Sequence, residues 1–233
     1  SRRGQGPADA VLGAVQLMQG PGESLPPRFP IFPLRGCLLL PGGNLPLNIF
    51  EPRYLAMVRD AMLTDMVIGM IQPRQDGDKR PAPELFRTGC AGRISNFAET
   101  EDGRFLITVT GLCRFDIARE LEVDTPYRQV TADYARWRQD LQPLRPPESL
   151  KADLLGVLRQ YFVKHGIEAD WPTLENAPLA ALVTSLGMIC PFEANEKQAL
   201  LEAPDLDRQG RLLVALMRMD TTPPIGTDSS LKH

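Results

Sequence analysis

With 233 residues, 43% of them hydrophobic and 24% charged, the chain is long enough for one large soluble domain or two small ones. A formal net charge of -3 and a pI near 5.5 give no electrostatic attraction to nucleic-acid phosphates or anionic lipid. No apolar run has the length of a bilayer span.

Residues 1–27 read as a flexible N-terminal segment. Asp9 interrupts the weakly apolar run from Ala8 to Met18, and no small-residue cleavage site follows, so a secretory signal is not expected. Phe29 to Leu34 is a short strand broken by Pro30 and Pro33, a pattern that fits a sheet edge or a barrel opening. Cys37 to Leu40 and Leu45 to Phe50 read as strands on either side of the turn Pro41-Gly42-Gly43-Asn44. In the second of these, Leu45, Leu47 and Ile49 alternate with Pro46, Asn48 and Phe50.

Pro52 then opens a helix that reaches about Leu63, with Tyr54, Leu55, Met57, Val58, Ala61 and Met62 at helical spacing. Phe50, Glu51, Pro52, Arg53 and Tyr54 form the strand-to-helix corner and read as determinants of the fold. Met66 to Gln72 is a continuous apolar run, expected to be a strand buried on both faces. Pro73 to Pro83 is a polar loop, and Thr88 to Ala98 the next strand.

Glu101-Asp102-Gly103 is a hairpin turn, in which Gly103 accepts a positive φ. Arg104 to Thr110 alternates cleanly, Gly111-Leu112 reads as a further turn, and Cys113, Phe115 and Ile117 share a face of the strand after it. Tyr127 to Ala135 is the last strand. Leu141 to Pro147 is a linker, and the rest is helical: Leu150 to Phe162 and Leu179 to Cys190 each carry an apolar stripe. Asn195 and Gln198 have the spacing of a capping box, Asp205 or Asp207 can cap a last helix, and Pro223-Pro224 ends it before a polar tail over 221–233, expected to be disordered.

Several separated motifs occur in one order: Phe29-Pro-Ile-Phe-Pro-Leu34, Pro41-Gly42, Leu45-Pro-Leu-Asn-Ile-Phe-Glu-Pro-Arg-Tyr54 and Gly111-Leu-Cys-Arg-Phe115. This arrangement resembles the substrate-binding, N-terminal domain of ATP-dependent Lon proteases, a domain that also occurs free-standing. The resemblance covers about residues 28 to 220. It implies an α+β fold: a PUA-like β pseudo-barrel over 28–140, of about six strands with one inserted helix, followed by a C-terminal helical bundle over 148–220. It also implies a module that binds polypeptide substrates or a protein partner.

Motifs of catalysis are missing from the sequence. There is no G-x-x-x-x-G-K-[ST] phosphate cradle, no G-x-S-x-G elbow and no H-E-x-x-H. Cys37, Cys90, Cys113 and Cys190 lack zinc-ligand spacing and read as reduced thiols of a cytoplasmic protein, so neither metal nor cofactor is expected. His165, before Gly166, reads as the basic end of a helix. Glu99, Glu101 and Asp102 read as a solvated turn. Arg104, Arg114, Arg119 and Arg128 fall on polar faces of strand patterns, interleaved with Asp116, Glu120, Glu122 and Asp124, so a mixed, solvated surface is expected and no nucleic-acid stripe.

The expected function is therefore a non-catalytic polypeptide-binding module, an adaptor or regulator in protein quality control. Apolar burial in a groove between barrel and bundle supplies its affinity, with strand addition at an open edge as a further contribution. Phe29, Ile31, Phe32 and Leu34, with the loop 73–83, are the expected groove walls. The alternatives are an RNA-binding PUA-like protein, which the acidic pI and scattered aromatics oppose, and an enzyme whose site no motif reveals.

Overall fold

The structure is a computed structural model that describes residues 25–74, 82–142 and 148–221. Most of the segment 1–27, most of the loop 73–83, most of the linker and the tail after Thr221 lie outside these residues. Six strands form one sheet: β1 (Arg28–Pro33), β2 (Asn44–Ile49), β3 (Val67–Ile71), β4 (Thr88–Glu99), β5 (Phe105–Glu120) and β6 (Gln129–Asp133). Their order is β2-β5-β4-β3-β1-β6, and β5 also pairs with β6, so five strands close into a ring with β2 outside it. The β1–β3 pair is parallel and the others are antiparallel.

β1 is not an edge strand. Its first half pairs with β6 (Phe29 opposite Val130) and its second half with β3 (Ile31 opposite Gly69). Because each half pairs with only one neighbour, two residues without an amide donor are accommodated inside a closed ring. The true edge is β2, where Pro46 is exposed and interrupts the row of backbone donors. Inside the ring, Phe29, Ile31, Val67, Ile71, Ala91, Phe115 and Val130 form a compact core. Phe29 and Phe115 meet edge to face at 5.0 Å. Gly69 makes the room: a Cβ there would fall 2.6 Å from the Phe29 ring.

Residues 37–40 form no strand, although Leu38, Leu39 and Leu40 are all buried. A short apolar run is equally the signature of buried irregular chain. Nor is Gly111 in a turn. It lies within the 16-residue β5, and a Cβ at that position would stand 2.1 Å from the Leu40 carbonyl oxygen. The glycine admits the backbone of the 37–43 segment, which bonds it on both sides: Gly42 N–H donates to Gly111 O, and Gly111 N–H to Gly43 O. The hairpin turn at Gly103 forms as expected, with φ of 79°.

Helix α1 (Pro52–Met62) follows β2 directly, with Glu51 as its N-cap residue and Pro52 in the first turn. Tyr54, Met57, Val58 and Ala61 are its buried stripe. Glu51 makes no side-chain cap and pairs instead with Arg53 at 2.9 Å. Arg53 lies over the Tyr54 ring, which packs on Phe32 at 4.3 Å, while Phe50 is 61% exposed. Pro52 and Tyr54 thus hold the corner.

A 3-10 turn (Ala135–Leu141) leads to the helical lobe: α2 (Glu148–His165), α3 (Trp171–Asn176), α4 (Leu179–Ile189), α5 (Ala194–Glu202) and α6 (Leu206–Thr221). The capping box of α5 is Glu193 with Glu196, two residues before the pair read from sequence. Gln198 is instead buried and bonds Gln72 of the ring (3.1 Å) and the Thr88 carbonyl (3.2 Å). Both pairs have the same i, i+3 spacing, so the spacing alone did not discriminate. Asp205 caps α6 through the Arg208 amide (2.8 Å).

Arg114 overturns the solvated-face expectation. Only 5% exposed, it forks onto Asp140 through Nε (2.9 Å) and Nη2 (2.6 Å), and its Nη1 donates to the carbonyls of Leu201 and Ala203 at the C-terminal end of α5. The Trp137 ring is in contact with the guanidinium groups of Arg114 (4.0 Å) and Arg136 (4.4 Å). Asp116, also buried, accepts from Thr88 Oγ1 (2.8 Å) and Trp137 Nε1 (3.1 Å). The helical lobe covers this stretch of the sheet exterior, which strand parity does not reveal.

Arg114→Ala should lower the unfolding free energy by about 3–5 kcal/mol, because Asp140 is left buried without its counter-ion. Urea titration reads the loss directly, and a change below about 1 kcal/mol would show that the junction is held otherwise. Gly111→Ala should cost roughly 1–3 kcal/mol by overpacking against the Leu40 carbonyl; wild-type stability in the same titration would contradict the close approach.

Candidate functional site

A well-walled apolar concavity of about 240 Å³ lies in the helical lobe between the end of α2, the start of α3 and the end of α4. Its construction begins at the C-terminus of α2. Gly166 takes φ of 62°, its N–H bonds Val163 O and the Ile167 N–H bonds Phe162 O. This is a Schellman ending, which folds the residue after the glycine back onto the helix. Ile167 and Phe162 thereby become adjoining walls of the pocket.

Asp170 then starts α3 by accepting from the Thr173 N–H (3.4 Å) and Oγ1 (2.6 Å). Tyr161, Leu174, Leu186 and Cys190 are buried and form the floor, while Ile189 is 42% exposed at the opening. The Trp171 ring packs on Phe162 at 5.8 Å and carries the Arg159 guanidinium on its face at 4.3 Å. His165, Glu168 and Asp170 make a polar rim. At that rim His165 Nε2 meets Asp220 Oδ2 at 2.8 Å, and Lys164 Nζ lies 3.2 Å from the same oxygen. These contacts tie the last turn of α6 to the last turn of α2. The His165 hydrogen bond, ahead of those from Lys164, holds the Asp220 carboxyl below its ordinary range.

Cysteine, histidine and aspartate meet here, as in a thiol hydrolase, but the geometry does not activate the thiol. Cys190 shares a hydrogen bond with Tyr161, and burial pushes its pKa up to about 11. Burial likewise raises the Tyr161 phenol. Nucleophilic chemistry requires the thiolate, and a thiol so placed stays protonated at neutral pH. Among the described residues no group of three or more His, Cys, Asp and Glu is placed to hold a metal ion. The arrangement suits burial of an apolar group with its polar flanks left at the rim.

Of the residues discussed from sequence, His165 and Cys190 line this pocket, whereas the expected groove-wall residues Phe29, Ile31, Phe32 and Leu34 do not. Phe29 and Ile31 fill the ring core, Phe32 is buried in the main core, and Leu34 is half-buried against it. The central part of the loop 73–83 lies outside the described residues. A larger concavity of about 490 Å³ follows 120–128, but it is an open loop surface rich in Glu120, Glu122 and Asp124. Its Tyr127 is committed to Asp60, at 2.5 Å. The signal for this pocket was present in the sequence as His165-Gly166-Ile167, a helix stop followed by an apolar residue. Its meaning depended on α4 arriving opposite.

No helix among the described residues is long and apolar enough to cross a membrane. The model of the ATP-dependent protease La (LON) substrate-binding domain matches residues 28–219. Among curated relatives, Lon protease 2 of Myxococcus xanthus is 29% identical over 84% of this chain, and the Lon protease of Anaeromyxobacter dehalogenans is 26% identical over 84%. The chain spans 24% and 23% of the length of those proteins. Two solved structures share the fold. A Lon N-terminal domain protein from Xanthomonas campestris has a TM-score of 0.59 at 23% identity, covering 81% of this chain and 97% of that one. The N-terminal domain of Lon protease from the Mycobacterium avium complex has a TM-score of 0.61 at 15% identity, covering 82% and 98%. With its ring of strands, its helical lobe and a family match over nearly all the described residues, the chain belongs to the Lon substrate-binding domain family.

Proposed function

We propose that the chain is a non-catalytic module that binds polypeptide segments presenting a bulky apolar side chain, and that the pocket between α2, α3 and α4 takes that side chain. The observation that carries this reading is the pocket's size and lining. At about 240 Å³ it falls below the roughly 300–1,000 Å³ of cofactor and drug-sized sites. It suits a single branched or aromatic side chain. Its floor is apolar, and its titratable floor groups stay protonated, so burial is favoured and bond-making is not. Rim carboxylates at Glu168 and Asp170 leave polar groups of the bound backbone near water. Those carboxylates and the chain's net charge of -3 disfavour an RNA ligand. An adaptor or regulatory role in protein quality control follows from this binding, and it is part of the same proposal.

Fluorescence anisotropy with a labelled peptide carrying one phenylalanine, against the same peptide with alanine there, tests the reading. The phenylalanine peptide should bind more tightly, and Ile189→Asp should weaken it about tenfold, or ~1.4 kcal/mol. Ile189 is 42% exposed, so the variant should keep wild-type circular dichroism. Equal affinity for both peptides, or wild-type affinity in the folded variant, would sink the pocket assignment.

The Asp220 clamp predicts a pH dependence. A carboxyl held below its ordinary value contributes stability that is complete above that value, 3.8, and is lost as pH falls through the lower folded value. Asp220→Asn should therefore cost up to about 1 kcal/mol near neutrality, as expected for an exposed pair. The difference from wild type should shrink below about pH 4. A gap that persists unchanged in acid would show that Asp220 acts through packing.

A further inference from the structure

We infer that the helical-lobe pocket selects an apolar side chain with a lysine or arginine beside it, so that its partners are polypeptide segments in which bulky apolar and basic residues adjoin. This rests on the reading of the pocket as an apolar side-chain site and adds the charge of the flanking residue. The wall between Gly166 and Trp171 is Ile167-Glu168-Ala169-Asp170, and all four residues line the pocket. Ile167 and Ala169 are half-buried against the core, while Glu168 and Asp170 are exposed. Such alternation is that of extended chain, in which successive outward positions lie about 7 Å apart. One cation seated between them meets both carboxylates.

The cations around the mouth already have partners. Lys164 and His165 both face Asp220, Arg159 is paired with Glu175 and lies on the Trp171 ring, and Lys197 donates to the Gly36 carbonyl at 2.8 Å. Among the described residues, no lysine or arginine lines the pocket. Of the nearby carboxylates, Glu193 caps α5 and Asp170 caps α3, with lone pairs of Asp170 left over. Glu168 has no hydrogen-bond or ion-pair partner among the described residues. The rim therefore carries uncompensated negative charge beside an apolar floor. A lysine or arginine stem can lie along Ile167 and the 42%-exposed Ile189 while its charged end reaches the carboxylates. An acidic flank meets like charge there and is disfavoured.

Anisotropy with the whole 233-residue chain tests the charge preference, using labelled peptides whose single phenylalanine is flanked on both sides by lysine, alanine or glutamate. At about 0.1 M salt the lysine-flanked peptide should bind about fivefold or more tighter than the glutamate-flanked one, and the ratio should fall towards unity at about 1 M, where the Debye length is about 3 Å. Glu168→Gln should lower that ratio by about half or more, and Glu168→Lys should invert it. Glu168 is exposed and unpartnered, so both variants should keep wild-type circular dichroism. Equal affinity for the lysine and glutamate peptides, or an unchanged ratio in Glu168→Lys, overturns the charge preference; a retained advantage of phenylalanine over alanine between neutral flanks would leave the pocket reading standing. Tighter binding of the glutamate peptide would assign an acidic partner, and self-association abolished by Ile189→Asp would assign a second copy of the chain; either overturns the inference. Salt-sensitive binding of lysine peptides with no advantage for phenylalanine would overturn both readings.

Discussion

One buried guanidinium fixes how the two halves of this protein meet. Arg114 leaves the ring on β5, forks onto Asp140 and ends on two carbonyls at the C-terminus of α5. Taking such a cation out of water is costly, and the cost is offset only where every donor finds its acceptor. Apolar layers alone are non-directional and tolerate sliding. The guanidinium fork does not, because its donors lie in a rigid plane. Gln72 and Gln198 add a second polar tie, joined to each other and to the backbone of both halves. Trp137, in contact with both Arg114 and Arg136 and with its N–H on Asp116, closes the seam.

That seam between ring and helices is occupied by paired polar groups. The pocket lies within the helical lobe, where the Schellman ending of α2 folds Ile167 back and α4 brings Leu186 and Cys190 beneath it. The two sites use burial in opposite ways. At the seam, burial forces polar groups to pair. In the pocket it raises the pKa of Cys190 and Tyr161, keeping thiol and phenol neutral and compatible with an apolar guest. That contrast makes the seam a structural joint and leaves the pocket as the apolar recess of the helical lobe.

Reading the sequence correctly identified what depends on close neighbours along the chain. Helix α1, with Pro52 in its first turn, follows from a helical period and a residue that costs nothing there. The turn at Gly103, the alternation of β5 and the cap at Asp205 are of the same kind. Family membership was legible too, since the Phe29–Leu34, Leu45–Tyr54 and Gly111–Phe115 motifs each encode a local piece of this fold.

What failed were statements about burial. Arg114 has strand parity that places it outside the ring, and only the arrival of α5, 87 residues further on, makes that outside an interior. Proline-broken β1 read as a sheet edge or a barrel opening, and only the pairing of one half with β3 and the other with β6 shows that it is no edge. Gly111 read as a turn because nothing local shows that the Leu40 backbone passes within contact distance. The helix stop at Gly166 was visible, but a pocket needs a second wall, and α4 supplies it from another part of the chain. Periodicity and turn chemistry act over three or four residues, so sequence alone determined the elements and their family. Desolvation is set by whichever segment packs on top, so the joint and the pocket were decided only by the tertiary structure.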